Sequence, residues 1–345
     1  MKVLHLLKSD KFSGAENVVL TIMDSLKDID MVYASMDGPI RQVVESRGFC
    51  FYPLEAPSVS AVKKAIDEIQ PDVIHAHDFS MATIAAWGAA KIPVVAHLHN
   101  NPLWLRKPSL QSIALALALP RIRYIISVSN AIEDEYIFRS LFAEKNIVIS
   151  NVVDAENVIT KSLELCDVRK TDLVFLGRLT APKCPLLFCQ IVNEIRKIVP
   201  GITARMIGDG ELRTEVENYI ENNCLSANIE LVGFQSNPYP QLNAGGIMVM
   251  PSAWEGFGLA AVEGLCLGKP IVCSGVGGLA DIIDDSCGAK CQSIDEYRNA
   301  ILRLLQDERM YQNVSKGARI RSKEYTNVKC YAEKIRNVYV RALGS

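Results

Sequence analysis

Short apolar runs alternate with longer helical patterns along the whole sequence, and this alternation constrains the fold more than any other feature. Most of the runs carry few polar residues, so both faces of the strands they predict must be covered. Strands of this kind are typical of parallel sheets that lie between two layers of helices. The predicted strands are residues 2–7, 31–35, 73–76, 94–99, 124–129, 146–149, 173–177, 203–207, 229–232, 247–250 and 270–274.

The alternation occurs twice, and a weakly periodic stretch at residues 154–171 separates the two sets. This repetition predicts an α/β protein of two doubly wound, Rossmann-like domains that face each other across a cleft. We place the domains at residues 1–160 and 161–325, and expect a last helix within residues 326–345 that can pack back on the first. The other helical patterns cover residues 16–26, 186–198, 211–223 and 259–267.

Composition excludes several classes of protein. The 345 residues include 37 Lys and Arg against 39 Asp and Glu, so the chain lacks the basic field of a nucleic-acid-binding protein. The most apolar segment, residues 113–120, is too short to span a membrane, and the start of the chain lacks the layout of a signal peptide. We therefore expect a cytoplasmic protein whose ten cysteines are reduced thiols.

Ligands of open parallel sheets bind beyond the carboxyl ends of the strands, so the loops that follow the strands matter most. After the first strand, Gly14 precedes a helix and lets backbone amides approach an anion. After the strand at 173–177 come Arg178 and Lys183. A guanidinium and an ammonium can together neutralise a diphosphate without a metal ion.

The strongest motif is the segment 251–263, which follows the strand at 247–250 and reads PSAWEGFGLAAVE. Gly256 and Gly258 allow backbone amides to face a phosphate or a sugar hydroxyl just before a helix. Glu255 in the loop and Glu263 one turn into the helix can grip a sugar and a ribose through their hydroxyl groups. This pattern predicts a nucleotide-sugar site.

Two further motifs are weak. Gly275, Gly277 and Ala280 fit a dinucleotide-binding pattern, but they lie late in the chain and away from the first strand of a domain. Asp28 and Asp30 form a D-x-D pair of the type that binds a metal–diphosphate complex. Because the pair lacks glycine-rich support, we interpret it as a surface turn and expect no obligatory metal or other cofactor.

These motifs resemble those of the retaining glycosyltransferase family 4, which has the two-domain GT-B fold. The resemblance spans nearly the whole chain. It depends most on the E-x7-E pair formed by Glu255 and Glu263, and on the Gly177-Arg178 to Lys183 segment. Two departures replace glycines of the family pattern, with Ser13 before Gly14 and Val152 within Asn-Val-Val-Asp. Both departures concern the acceptor side of the site.

The resemblance implies roles for individual residues. Arg178 and Lys183 would bind the donor diphosphate, with Gly14 also on the donor side, and Glu263 would bind the nucleotide ribose. Glu255 would hold the transferred sugar. The backbone of Gly256, Phe257, Gly258 and Leu259 would assist it. His99 would lie near the transferred sugar, so the catalytic candidates are His99, Glu255, Arg178 and Lys183.

The resemblance further implies transfer with retention, by front-face attack and without a protein nucleophile. The donor would be a nucleotide-diphosphate sugar, and UDP-sugar is favoured as the most common type. The acceptor would be a hydroxyl of a glycan or of a lipid-linked acceptor, in bacterial surface polysaccharide synthesis. Trp104 lies beside two cations and an apolar run, which favours a membrane-surface acceptor site at the inner face of the membrane. The acceptor-side candidates are Ser13, His77, Asn100 and Trp104.

Two alternatives stay open from the residues themselves. His75 with His77, and His97 with His99, form H-x-H pairs at the ends of two strands, and such pairs can hold the metal of a hydrolase. Against this, we interpret His75 and His97 as hydrogen-bonded core residues. The second alternative is a nucleotide-sugar epimerase of the same fold, which would act on its nucleotide sugar in the absence of any acceptor.

Overall fold

The structure, a computed structural model, describes residues 1–11, 14–164 and 167–344. The chain forms two compact units: unit 1 comprises residues 1–152 together with the chain from Val328 onward, and unit 2 comprises Val153–Asn327.

Unit 1 is built on a parallel sheet, which contains seven strands within the described residues, in the order β3-β2-β1-β4-β5-β6-β7. Its strands are β1 (Lys2–Leu6), β2 (Asp30–Ser35), β3 (Cys50–Pro53), β4 (Val73–His77), β5 (Val94–Leu98), β6 (Ile122–Ser127) and β7 (Asn146–Val148). Its helices before the chain leaves the unit are α1 (Gly14–Ser25), α2 (Pro39–Ser46), α3 (Val59–Ile69), α4 (Asp78–Gly88), α5 (Leu110–Ala118), α6 (Asn130–Asp134) and α7 (Arg139–Phe142).

Unit 2 is built on a second parallel sheet, in which the described residues form six strands in the order β10-β9-β8-β11-β12-β13. Its strands are β8 (Thr171–Leu176), β9 (Ala204–Ile207), β10 (Ile229–Gly233), β11 (Gly245–Met250), β12 (Ile271–Ser274) and β13 (Gly288–Cys291). Its helices are α8 (Ala155–Ser162), α9 (Pro185–Arg196), α10 (Arg213–Asn222), α11 (Tyr239–Ala244), α12 (Leu259–Cys266), α13 (Gly278–Ile282), α14 (Ile294–Gln306) and α15 (Glu308–Ser322).

The two units differ from the predicted domains at the first boundary, because residues 153–160 pack with unit 2. The Asp154 carboxylate accepts a hydrogen bond from the Asn157 amide at 3.0 Å and begins α8, which packs on α11 and α12. The Val153 amide donates to the Tyr325 carbonyl at 2.9 Å. A stretch whose hydrophobic period is weak is therefore a capped helix of unit 2 and not a linker.

The last helix, α16 (Val328–Leu343), packs on α1 and on the sheet of unit 1. Arg336 donates two hydrogen bonds of 2.7 Å to Asp28, and Lys2 lies 3.6 Å from Asp30. The D-x-D carboxylates are thus held by cations of the same unit.

Strands β3 and β13 do not appear among the predicted strands. Both are edge strands with at most one buried residue each, and β3 ends in proline, so neither has the buried run of the equally short β9 and β12. Gly288 of β13 faces the β12 backbone so closely that a Cβ atom there would lie 1.9 Å from the Ile271 carbonyl oxygen. Among the described residues no helix combines the length and the apolar character needed to cross a membrane.

Candidate active site

The loops after β8 and β11 meet at one edge of the unit 2 sheet because these two strands are neighbours. Lys183 ends a short turn after β8, and its Nζ atom donates to Glu255 Oε1 at 2.6 Å and also to Oε2. The Ser252 hydroxyl donates to Glu255 Oε2 at 3.3 Å. The side chains of Lys183 and Glu255 are 22% and 11% exposed, so the pair is partly shielded from water and still open on one side.

Arg178 lies in the same loop as Lys183 but has a different environment. Its side chain is exposed, and it forms no hydrogen bond or ion pair with another residue in the described part of the chain. An exposed guanidinium without a carboxylate partner can donate two parallel hydrogen bonds to a phosphate. Of the two predicted diphosphate ligands, Arg178 is therefore free to bind a phosphate, whereas Lys183 is paired with Glu255.

Glycine residues allow the neighbouring loop after β9 to lie against the loop after β8. Gly208 has a φ of +135°, and a Cβ atom there would lie 2.0 Å from the Gly177 carbonyl oxygen. A Cβ atom at Gly210 would lie 2.4 Å from the Leu179 carbonyl oxygen. Only glycine fits at these two positions, so the backbone around Gly177 and Arg178 has a defined course.

The segment after Glu255 places main chain, and not side chain, at the candidate site. The Phe257 side chain is 4% exposed and packs edge-on against Tyr325, with ring centroids 5.7 Å apart. Gly258 has a φ of +107° and directly precedes α12, which begins at Leu259. Because Gly256 and Gly258 have no side chain and that of Phe257 is buried, the predicted contribution of residues 256–258 to a donor site must come from their backbone groups.

Glu263 lies in α12 one turn after Gly258, and its partner is a residue that the sequence did not predict. The Tyr239 hydroxyl, at the start of α11, donates to Glu263 Oε1 at 3.1 Å. Burial raises the pKa of Glu263 to about 7, and the Tyr239 hydrogen bond opposes this rise because it stabilises the charged form. No local pattern marks Tyr239 as a site residue, since it lies on a different helix from Glu263. Ser252 lies within the 251–263 motif, three residues before Glu255, but the motif did not assign it a role.

All five histidines of the chain lie together in unit 1, on one face of its sheet. His5 pairs with His75 in register between β1 and β4, and His77 pairs with His97 between β4 and β5. His77 Nε2 shares a hydrogen bond of 3.1 Å with His5 Nδ1, and His77 Nδ1 shares one of 2.9 Å with His99 Nε2. His5 therefore joins the two predicted H-x-H pairs, which its lone position in the sequence did not indicate.

We expected His75 and His97 to be hydrogen-bonded core residues. Of their four ring nitrogens, one has a hydrogen-bond partner and three have none within the described part of the chain. His75 Nδ1 shares a hydrogen bond of 2.7 Å with the Tyr339 hydroxyl of α16. His75 Nε2 and both ring nitrogens of His97 have no partner among the described residues. Desolvation lowers the pKa of each of the five rings, to about 3 for His5 and His99, so the cluster is neutral at pH 7.

The acceptor-side candidates divide between two neighbouring pockets of unit 1. Asn100 and Trp104 line a pocket of about 460 Å³ between α4 and α5, in which Asn100 donates to Asp78 at 3.4 Å. His77 lines a second pocket of about 360 Å³, which Asp78 also borders together with Glu16. Burial, aided by the charge of Glu16, raises the pKa of Asp78 to about 6.

Of the two candidates near the start of α1, Gly14 lies within the described residues and Ser13 does not. Gly14 is the exposed first residue of α1, and the buried Glu16 follows it two residues later. Ser13 lies outside the described residues.

Two protein-family models match the chain. One, described as glycosyl transferases group 1, matches residues 164–321, and the other, described as glycosyltransferase family 4, matches residues 13–157. The two matches together cover most of both units, which have the two-sheet architecture of the GT-B fold. The chain is therefore a glycosyltransferase with the GT-B fold, as predicted, and the comparisons favour neither a hydrolase nor an epimerase.

Individual relatives agree with this class. The chain is 24% identical, over 99% of its length and 97% of the relative's, to the UDP-Gal:alpha-D-GlcNAc-diphosphoundecaprenol alpha-1,3-galactosyltransferase of Escherichia coli. It is 23% identical, over 69% of its length and 64% of the relative's, to the N-acetylgalactosamine-N,N'-diacetylbacillosaminyl-diphospho-undecaprenol 4-alpha-N-acetylgalactosaminyltransferase of Campylobacter jejuni. The crystal structure of Anabaena Alr3699/HepE in complex with UDP is similar in fold, with a TM-score of 0.85, 20% identity and coverage of 99% of this chain and 100% of that one.

Proposed function

We propose that this protein is a retaining glycosyltransferase that moves a sugar from a UDP-sugar to a hydroxyl of a lipid-linked glycan, in the synthesis of a bacterial surface polysaccharide. The observation that carries the donor half is the arrangement at the edge of the unit 2 sheet. Arg178 is exposed and unpaired by any described residue, Lys183 is held by Glu255, and Glu263 is held by Tyr239. UDP is the ligand in the Anabaena structure, and UDP-Gal is the donor named for the Escherichia coli relative. Both support the choice of uridine nucleotide.

The charges of these residues suit a diphosphate leaving group. Arg178 donates two hydrogen bonds to the phosphates, and Lys183 turns part of its hydrogen bonding from Glu255 to the same anion. Glu255 then has a carboxylate oxygen free to accept a hydrogen bond from a hydroxyl of the transferred sugar. Glu263 accepts hydrogen bonds from the ribose hydroxyls, and Tyr239 keeps its carboxylate in place.

The transfer step needs no protein nucleophile. The bond from the anomeric carbon to the donor phosphate oxygen breaks, and a bond to the acceptor oxygen forms on the same face of the sugar. The acceptor proton passes to the departing phosphate, whose negative charge Arg178 and Lys183 stabilise. The two-carboxylate scheme of glycoside hydrolases therefore does not describe Glu255 and Glu263.

The acceptor half of the proposal rests on one surface of unit 1. Four apolar side chains are exposed on α5 and the turn before it, and Leu110 is the most open of them at 87%. Arg106 ends that turn, where it is paired with Glu135 at 2.9 Å, and Lys107 follows it; both cations are exposed. An apolar surface with adjacent cations suits an anionic membrane surface or a lipid diphosphate, so we place the enzyme in the cytoplasm at the inner face of the membrane. The four apolar residues are Leu103, Leu110, Ile113 and Leu117.

A panel of UDP-, GDP- and ADP-sugars tests the donor. A ligand that binds only the folded state raises the melting temperature in a concentration-dependent manner, and we expect this rise for UDP-sugars alone. Arg178→Ala should abolish the rise, whereas Arg309→Ala, which removes an exposed arginine of α15, should leave it unchanged. Equal stabilisation by all three nucleotides, or none by any of them, would contradict the proposal.

The acceptor is tested with vesicles and with synthetic acceptors. We expect the protein to bind vesicles that contain anionic lipid, and Leu110→Ser together with Leu117→Ser to weaken that binding. A polyprenyl diphosphate-linked sugar should be a better acceptor than the same sugar without the lipid. Full activity on the lipid-free sugar and no vesicle binding would remove the membrane part of the proposal and leave the donor part intact.

A further inference from the structure

The histidine cluster of unit 1 contains more ring nitrogens than the fold provides with partners. Nitrogens of His5, His75, His97 and His99 are buried and have no hydrogen-bond partner in the described part of the chain. His97 is the extreme case, since it is 0% exposed and neither of its nitrogens is paired. A buried polar group without a partner costs free energy, and a bound ligand can recover that cost.

We propose that His77, His97 and His99 form a binding site for one divalent transition-metal ion of the zinc type. Each of the three rings offers a nitrogen, and these nitrogens all lie within 4.8 Å of one another. His77 Nδ1 and His99 Nε2 are already 2.9 Å apart. Two ligand nitrogens of a tetrahedral site with bonds of 2.0–2.1 Å lie about 3.3 Å apart, so this pair needs to open by only a few tenths of an ångström.

The chemistry of the ligands selects the ion. The rings are neutral, and a neutral imidazole binds Zn²⁺, Co²⁺, Ni²⁺ or Cu²⁺ through a nitrogen lone pair. Mg²⁺ and Ca²⁺ prefer oxygen ligands, and the three rings provide none. Three histidines leave a fourth position of a tetrahedral ion for water or an anion.

The hydrogen bond on the other side of His77 supports this assignment. When His77 Nδ1 binds a metal, Nε2 carries the proton and can donate it to His5 Nδ1, which lies 3.1 Å away. Histidine ligands commonly donate their second N–H to such a partner, which fixes the tautomer and the ring orientation. His5 is thus a positioning residue for the proposed site.

A second trio, His5, His75 and His77, also meets the distance criterion, but two observations favour the first. In the second trio His75 already uses one nitrogen for the Tyr339 hydroxyl, and all three members are at most 1% exposed. The first trio contains the unpaired His97 and also His99, which is partly exposed.

The smaller pocket of unit 1 lies against one ligand of the proposed site. The smaller pocket reaches His77 and is bordered by Glu16, Asp78 and Lys8. Two carboxylates against one ammonium give the lining of this pocket an acidic balance, which attracts a cation.

Cobalt binding to the untagged full-length protein tests the proposal directly. We expect one Co²⁺ per chain, with the strong visible absorption of a tetrahedral ion, and displacement of that ion by Zn²⁺. His97→Gln and His99→Gln should each weaken binding by more than about 100-fold, because losing a direct ligand should cost at least as much as losing an outer-shell partner. The matched control His75→Gln alters the other trio and should bind Co²⁺ as the wild type does.

Two results would overturn the proposal. One is the absence of saturable Co²⁺ binding by a wild-type protein that is folded by circular dichroism. The other is the opposite mutational pattern, with binding lost in His75→Gln and kept in both His97→Gln and His99→Gln. Because the readout is metal binding and not sugar transfer, its failure leaves the proposed donor and acceptor untouched.

Discussion

Lys183 and Glu255 form an ion pair at the edge of the unit 2 sheet, with Nζ and Oε1 2.6 Å apart. The two residues lie 72 positions apart in the chain, on the loops after two neighbouring strands. The cation predicted to bind the donor phosphates is thus neutralised by the carboxylate predicted to hold the donor sugar. Donor binding must redistribute this pair, which couples the two halves of the proposed donor site.

Glu255→Gln tests that coupling. The amide cannot hold Lys183 as an ion pair, so we expect UDP affinity, measured by calorimetry, to stay at the wild-type value or to rise. The rate at saturating donor should fall, because the carboxylate charge that stabilises the transferred sugar in the transition state is gone. Ser252→Ala, which removes only the 3.3 Å hydrogen bond to Glu255, serves as the matched control and should have a smaller effect. A large loss of UDP affinity in Glu255→Gln would instead assign this residue to the nucleotide.

Removal of the cations should be costly to the reaction. We expect Arg178→Ala and Lys183→Ala each to lose about 2–4 kcal/mol of transition-state stabilisation, the usual scale for one preorganised electrostatic contact. The measurement is kcat/KM for transfer, with Arg309→Ala as the control for an exposed arginine of the same unit. A loss as small as that of the control would show that neither cation acts on the leaving group.

Glu263 predicts a pH dependence of donor affinity. Its folded pKa is raised to about 7, and ribose hydroxyls bind the charged form better. Protonation below pH 7 should therefore weaken UDP binding, and affinity should rise as the pH increases through 7 and then level off. Glu263→Gln should have a higher KM for the donor and no such transition. Calorimetry between pH 5.5 and 8.5 gives the profile, and an equal slope in wild type and Glu263→Gln would exclude Glu263 as its source.

A substitution of Tyr239 tests whether Glu263 is the group that titrates. The hydrogen bond of Tyr239 favours the charged form of Glu263, so Tyr239→Phe should raise the pKa of Glu263 further and move the transition in UDP affinity to higher pH. A purely structural role would lower affinity equally at every pH. The position of the transition, and not the size of the affinity, therefore distinguishes the two roles.

Chelation tests the expectation that transfer needs no metal. EDTA should leave the wild-type rate largely unchanged, because Arg178 and Lys183 supply the positive charge at the diphosphate. The D-x-D carboxylates are held by Arg336 and Lys2, so Asp28→Asn should also have little effect on the rate. Loss of activity on chelation with recovery in Mn²⁺ would contradict the first expectation, and a large loss of rate in Asp28→Asn would contradict the second.

Local patterns in the sequence predicted the parallel sheets, the loops that carry Arg178, Lys183 and Glu255, and the helix that carries Glu263. The reason is that apolar strands, helical periods and glycine-rich loops are each specified within about ten residues of chain. The same local reasoning assigned residues 153–160 to the wrong unit, because the packing of α8 depends on helices far along the chain. It also omitted β3 and β13, which are edge strands with at most one buried residue each.

The sequence by itself determined the class of fold, the strand ends at which we predict a ligand site, and most of the charged residues at those ends. Only the tertiary structure decided which of these residues meet. Strand order placed Lys183 against Glu255, helix packing placed Tyr239 on Glu263, and strand register gathered His5 with the H-x-H pairs. Contacts of this kind join residues that are distant in the chain, and their geometry depends on how the strands and helices pack, which no short segment specifies.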